Sequence, residues 1–136
     1  MEQLERRILV LEYDEDIKCL RKVFESMGIV SAVDFVSVSD LTRSNIEDLF
    51  DPRNNYNLLI FEPMYFYRRN ELNITALLSR FREAFPVAKT LAIASLPMNY
   101  YKVKFGISIE VDRYMEKVYR VQSFIETVKG LLGLQN

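Results

Sequence analysis

The sequence contains no histidine. That absence removes the side chain that most often serves as general base, metal ligand and phosphoryl carrier. There is one cysteine, Cys19, so an internal disulfide framework is excluded and a reducing, cytoplasmic setting is expected. Cys19 falls in a stretch of helical periodicity with no motif around it, and reads as a packed helix residue rather than a reactive thiol. Catalytic triads and zinc sites go with these two residue types. The four glycines are far apart, so no phosphate-cradling loop exists and Rossmann and P-loop readings fail. Charge of one sign is not in excess. The formal net charge is -1, which leaves no electrostatic footprint for nucleic acid or an anionic membrane. No apolar run approaches the roughly 18 residues of a membrane span. Met1 to Arg7 carries Glu2 and Glu5 and lacks an apolar core, so no signal peptide is expected there.

What is present fits one soluble globular domain over 1–136. The chain has 136 residues, 49% hydrophobic and 27% charged, enough for one sizeable core. The most informative stretch is Asn57 to Phe66, Asn-Leu-Leu-Ile-Phe-Glu-Pro-Met-Tyr-Phe. Leu58 to Phe61 is an unbroken apolar run, short enough for a strand covered on both faces. It ends at a carboxylate, Glu62, and Pro63 cannot continue a central ladder. Taken alone, Glu62 is an ordinary polar residue at a strand end. At the C-terminal edge of a parallel sheet, however, such a residue stands where ligands and chemistry collect.

The rest of the chain alternates in the same manner. Ile8 to Leu11 is an apolar run ending at Glu12. Asp14 or Glu15 can cap a helix carrying Ile17, Leu20, Val23, Phe24 and Met27, with Gly28 as its stop. Ala32 to Val38 reads as a second strand. Ser39 or Asp40 can cap a weakly patterned helix with Leu41, Ile46, Leu49 and Phe50, ended by Asp51-Pro52 and Asn54-Asn55. After the third strand, Tyr65 to Asn70 reads as an aromatic and basic loop. Ile74, Leu77, Leu78, Phe81 and Phe85 give the clearest helical face, closed by Pro86. Thr90 to Ala94 is a fourth strand ending at Ser95. Pro97 opens a short helix through Tyr100, Tyr101, Val103 and Phe105 up to Gly106. Val111 to Met115 is a fifth strand, followed by Glu116 and Lys117, and a last helix carries Val121, Phe124, Ile125, Val128, Leu131 and Leu132. Five strands alternating with five helices specify an α/β fold, a doubly wound five-stranded parallel sheet in a three-layer α/β/α arrangement. The strand ends bring Glu12, Glu62, Ser95 and Lys117 to one edge.

In order and spacing these edge residues resemble the receiver domain of bacterial response regulators, the flavodoxin-like (βα)5 fold of the chemotaxis receiver. The resemblance spans nearly the whole chain. It places the family's acidic pair after strand one on Glu12 and Tyr13, and the phosphoacceptor position on Glu62. The Ser/Thr position after strand four falls on Ser95, the switch aromatic of strand five on Tyr114, and the family lysine on Lys117. Asn57 to Phe61 matches the phosphoacceptor strand, and Val111-Asp-Arg-Tyr-Met-Glu-Lys117 keeps the aromatic and the lysine of its motif.

The departures carry the functional expectation. The acceptor aspartate is Glu62 and the second acid of the pair is Tyr13. Phe66 and Val118 replace two prolines usual in the family, and Glu110 a glycine. With Val118 the cis peptide usual there would cost about 2.5–4 kcal/mol, so a trans bond is expected. Receiver phosphorylation uses Mg²⁺, an oxygen-ligated octahedral ion, and an acceptor placed in line with the phosphodonor. Tyr13 offers a neutral phenol instead of a carboxylate. Glu62 reaches one methylene, about 1.5 Å, further into the space of the metal and phosphoryl group. The expectation is therefore an atypical receiver, or pseudo-receiver, with no metal, no cofactor and no enzymatic activity. In it Glu62 makes directly, with Lys117 and Ser95, the contacts an aspartyl phosphate makes in the family. The alternative is a working phosphoacceptor in a phosphorelay, using Glu62 or Asp14 with Mg²⁺.

A receiver without chemistry acts by binding protein partners of a signalling pathway. The resemblance points to the face of the fourth helix, fifth strand and fifth helix, with Tyr100, Tyr101, Tyr114 and Tyr119 among Lys102, Lys104 and Arg120, and to a homodimer through that face. Tyrosine and arginine are enriched at interface hot spots. A second surface is Tyr65, Phe66, Tyr67, Arg68 and Arg69. Aromatics interleaved with basic residues also occur in single-stranded nucleic-acid binders, but with a net charge of -1 neither nucleic acid nor membrane is the expected partner.

Overall fold

The computed structural model describes residues 7–67 and 72–134. Five parallel strands form one sheet: β1 (Arg7–Glu12), β2 (Val33–Ser37), β3 (Tyr56–Phe61), β4 (Lys89–Ala94) and β5 (Arg113–Glu116), in the order β2-β1-β3-β4-β5. Among the described residues five α-helices connect them, α1 (Asp14–Met27), α2 (Arg43–Leu49), α3 (Pro63–Tyr67), α4 (Ile74–Ala84) and α5 (Met98–Phe105), and α6 (Val121–Leu132) follows β5. This is the doubly wound flavodoxin-like arrangement. Strand order reverses direction between β1 and β3, the switch point at which such sheets open a crevice.

The strands alternate between two separate cores. Leu9, Leu11, Leu59, Phe61 and Ala92 point to the side covered by α2, α3, α4 and α5, where Ile46, Phe66, Leu77, Phe81 and Tyr101 meet them. Ile8, Val10, Leu58, Ile60, Leu91 and Ile93 point to the side of α1 and α6, where Leu20, Phe24, Phe124 and Val128 lie. Covering on both faces explains why β1 and β3 read as unbroken apolar runs. Phe24 and Phe124 meet edge to face at 5.7 Å between α1 and α6, a contact worth about 0.5–1.5 kcal/mol beyond burial.

Local chemistry sets the boundaries. Gly28 ends α1 with φ 77°, a conformation that L side chains adopt at a cost. Asn55 holds φ 60° before β3, the non-glycine residue best suited to it. Several boundaries differ from the sequence reading. The N-cap of α1 is Tyr13, without a side-chain bond. Because β1 runs through Glu12, Asp14 and Glu15 fall inside the first turn, where they complement the helix dipole instead of capping. The cap of α2 is Thr42, not Ser39 or Asp40. Val38–Asp40 makes a 3-10 turn that buries Val38 and leads to buried Leu41. Thr42 then forms a reciprocal capping box with Asn45. Tyr65 and Tyr67 lie in helix α3 rather than a loop, since Pro63 suits a first helical position. Arg68 and Arg69 of that expected surface, like residues 1–6 of the expected non-signal N-terminus, lie outside the described residues. The fifth strand starts at Arg113, two residues late. Cys19 is exposed rather than packed, on the outer side of α1. Tyr101, expected on a surface, is fully buried, because α5 turns it inward against Tyr67 at 5.9 Å. Among the described residues no helix is long and apolar enough to cross a membrane.

Candidate functional site

The C-terminal ends of β1, β3, β4 and β5 converge on one polar cluster. Backbone pairing fixes its register: Glu62 N donates to Leu11 O at 3.2 Å, and Lys117 N donates to Ala94 O at 2.8 Å. These two bonds extend the ladders by one residue and fix the backbones of Glu62 and Lys117 at the sheet edge. Lys117 Nζ lies 2.9 Å from Glu62 Oε1 and 3.7 Å from Glu12 Oε1, and it also pairs with Asp16 Oδ2. Ser95 Oγ donates to the same Glu62 Oε1 at 3.1 Å. The other oxygen, Glu62 Oε2, accepts from Met64 N at 2.8 Å. Glu62 thus does two things: it holds Ser95 and Lys117, and it caps the first turn of α3. The carboxylates of Glu12 and Glu62 are both wholly buried.

Glu12 is the strained member. Neither of its oxygens has a hydrogen-bond partner among the described residues. Burial, only partly offset by the Lys117 charge and aggravated by Glu62 and Asp16, raises its pKa well above the usual carboxylate range. For Lys117 burial works against the charge. The hydrogen bonds to Asp16 and Glu62 and the charges of Glu12 and Glu62 outweigh it, and the ammonium is held above its usual pKa. Tyr13 sits 37% exposed at the mouth. Its ring, not its oxygen, faces the ammonium, with Lys117 Nζ 5.1 Å from the centroid. Burial first, then Glu62, raises the Tyr13 phenol above its usual pKa. Tyr65 closes edge to face on Tyr13 at 6.4 Å. Tyr114 is partly buried and its hydroxyl donates to Leu96 O, in the loop just past Ser95.

Sixty-three chains of solved structures match this one. A receiver-domain protein of the CheY-like type from Methanospirillum hungatei JF-1 is 20% identical, each chain covering 94% of the other, at a TM-score of 0.63. An orphan response regulator of H. pylori is 19% identical over 93% of this chain and 96% of its own, at 0.63. A putative pilus assembly-related protein from Burkholderia pseudomallei is 11% identical over 98% and 95%, at 0.68. The chain has the receiver fold. No protein-family model matches the sequence, and no curated protein matches it.

Within the receiver fold, Glu12, Tyr13, Glu62, Ser95 and Lys117 come together, with Tyr114 one loop away. Tyr100 is partly exposed on α5, and Tyr119, half-buried after β5, stacks on Phe124 at 5.5 Å. Sequence reasoning missed Asp16. It looked like one more acid in a first helical turn, and the signal available was its position four residues after Glu12. The Mg²⁺ of the receiver pattern does not fit these residues. Its oxygens would have to stand at about 2.0–2.1 Å, yet an ammonium lies among Glu12, Asp16 and Glu62 and Tyr13 turns a ring toward it. Among the described residues no three acids stand at metal-holding spacing. The Lys117–Val118 bond is trans.

Proposed function

We propose that this chain is a pseudo-receiver of a bacterial signal-transduction pathway. It is a cytoplasmic, non-enzymatic interaction module in which Glu62 stands in for the phosphorylated acceptor. One observation carries the reading. Glu62 Oε1 accepts from Ser95 and pairs with Lys117, at 3.1 and 2.9 Å, which are the two contacts the receiver pattern assigns to a phosphoryl group. An acceptor must also present a free oxygen in line with its donor. Here one oxygen of Glu62 is taken by Ser95 and Lys117 and the other by the Met64 amide.

The output is binding. Exposed apolar side chains gather between residues 98 and 121: Met98, Val103, Phe105, Val118 and Val121. Tyr100, Tyr119, Lys102, Lys104 and Arg120 lie in the same part of the chain. The α5–β5–α6 face is therefore the proposed partner surface, and self-association through it is read by sedimentation. The competing reading is a phosphoacceptor on Glu62 or on Asp14, which is exposed at the first position of α1. Incubation with acetyl phosphate and Mg²⁺, followed by intact mass, separates the two. No added phosphoryl mass is expected; one added phosphoryl group that disappears in Glu62→Gln or Asp14→Asn would establish the competing reading.

A further inference from the structure

We infer that the Lys117 ammonium is the pocket's own resident cation, clamped by Asp16 from α1 opposite Glu62, so that Asp16 is a positioning residue for the Glu62 contact and the cluster needs no divalent ion. The inference rests on reading the pocket as metal-free, but it adds a residue and a cation which that reading does not assign.

The geometry of Lys117 carries it. Three chain segments reach the ammonium: Glu12 from the end of β1, Asp16 from α1, and Glu62 from the end of β3. An ammonium has three protons to place. Two are used by Asp16 Oδ2 and Glu62 Oε1, and the Tyr13 ring offers its negative face from the mouth. Lys117 and Asp16 are 101 residues apart in sequence, so this pair ties the start of α1 to the turn between β5 and α6. The distances agree. Glu12 Oε1 stands 3.7 Å from the ammonium, beyond hydrogen-bond reach, and neither Glu12 oxygen has a hydrogen-bond partner among the described residues. That leaves Asp16 and Glu62 as the carboxyls engaged with the ammonium. With Glu62 alone, Lys117 would be a long side chain anchored at one point, with several staggered rotamers open at each bond. Asp16 removes that freedom and aims the ammonium at Glu62.

The experiment uses the whole chain and three variants, Asp16→Asn, Asp16→Glu and Lys117→Met. The ammonium of Lys117 is followed by proton–nitrogen NMR, where a clamped, slowly exchanging ammonium gives a resonance at neutral pH and a solvated one does not. A resonance is expected in the wild type, its loss in Asp16→Asn, and its return in Asp16→Glu. In parallel, Mg²⁺ and Ca²⁺ are titrated by calorimetry and by melting temperature. The wild type is expected to show no saturable binding at millimolar ion. Lys117→Met leaves Asp16 and Glu62 without their cation, so its melting temperature is expected to fall, and with no three acids at metal-holding spacing among the described residues neither ion is expected to restore it. Saturable Mg²⁺ binding by the wild type that is lost in Glu12→Ala overturns the inference. So does an ammonium resonance unchanged in Asp16→Asn, or a folded Lys117→Met as stable as the wild type. The first two measurements decide the matter even if Lys117→Met does not fold. A phosphoryl group found on Glu62 would defeat the pseudo-receiver reading through the mass spectrum, while an unchanged resonance in Asp16→Asn defeats this inference alone.

Discussion

Glu12→Gln isolates the titration of a carboxyl that is buried at the sheet edge without a hydrogen-bond partner among the described residues. Glu12 is wholly buried, and its pKa is raised, chiefly by burial. Below the usual carboxylate range the folded and unfolded chains both hold the proton, and Glu12 contributes no pH dependence. As pH rises past the unfolded value, near 4.3, the unfolded chain releases its proton while the folded chain keeps it. Each unit then costs the folded state about 1.4 kcal/mol for one proton. The loss levels off when the folded carboxyl also ionises, at its raised pKa. Gln has the same shape and does not titrate, so the wild-type curve minus the variant curve shows Glu12 alone. At the low end of the series the difference gives the cost of the amide itself. From there Glu12→Gln should gain on the wild type by up to about 1.4 kcal/mol per unit. With urea slopes of about 1–3 kcal/mol/M, that is a midpoint shift of roughly 0.5–1.4 M per unit. Urea unfolding of both proteins from about pH 5 to about pH 8, spanning the range above the unfolded carboxyl pKa, measures it. Parallel curves across that range would refute the reasoning, because they would mean Glu12 is ionised in the folded state with its charge fully compensated.

Three further outcomes are expected. Glu62→Gln keeps the shape and removes the charge opposite Lys117; since a complete buried pair contributes little net stability, affinity for a partner or a second copy should fall more than the denaturation midpoint, and unchanged affinity would make Glu62 a remnant. Thr42→Ala removes the acceptor that Asn45 N uses at 3.2 Å, and should cost about 1 kcal/mol in chemical denaturation, with no effect on the pocket. Tyr101→Phe deletes a buried hydroxyl that has no hydrogen-bond partner among the described residues, so thermal unfolding should show an unchanged or higher melting temperature, by up to about 1–3 kcal/mol of relieved desolvation; a marked loss would reveal a bond that the hydroxyl makes.

The local signals of the chain were strong enough to determine the fold. Apolar runs such as Leu58 to Phe61 need cover on both faces, helical periodicity at Ile74 to Phe85 needs one face buried, and Gly28 and Gly106 stop helices because they accept left-handed backbone. Alternation of these elements permits little other than a parallel sheet with right-handed crossovers, and that topology alone brings Glu12, Glu62, Ser95 and Lys117 to one edge. What the sequence left open depended on packing between distant segments. Leu41 had to reach the core, so the helix cap moved to Thr42. On α5, with apolar and polar residues on every side, only the neighbouring sheet decided that Tyr101 faces in and Val103 faces out, 0% and 82% exposed. Asp16 looked like a dipole-complementing acid, which locally it is. Its pairing with Lys117 exists because the pitch of α1 and the end of β5 bring together two charges separated by 101 residues, and charge pairing leaves no periodic trace in a sequence.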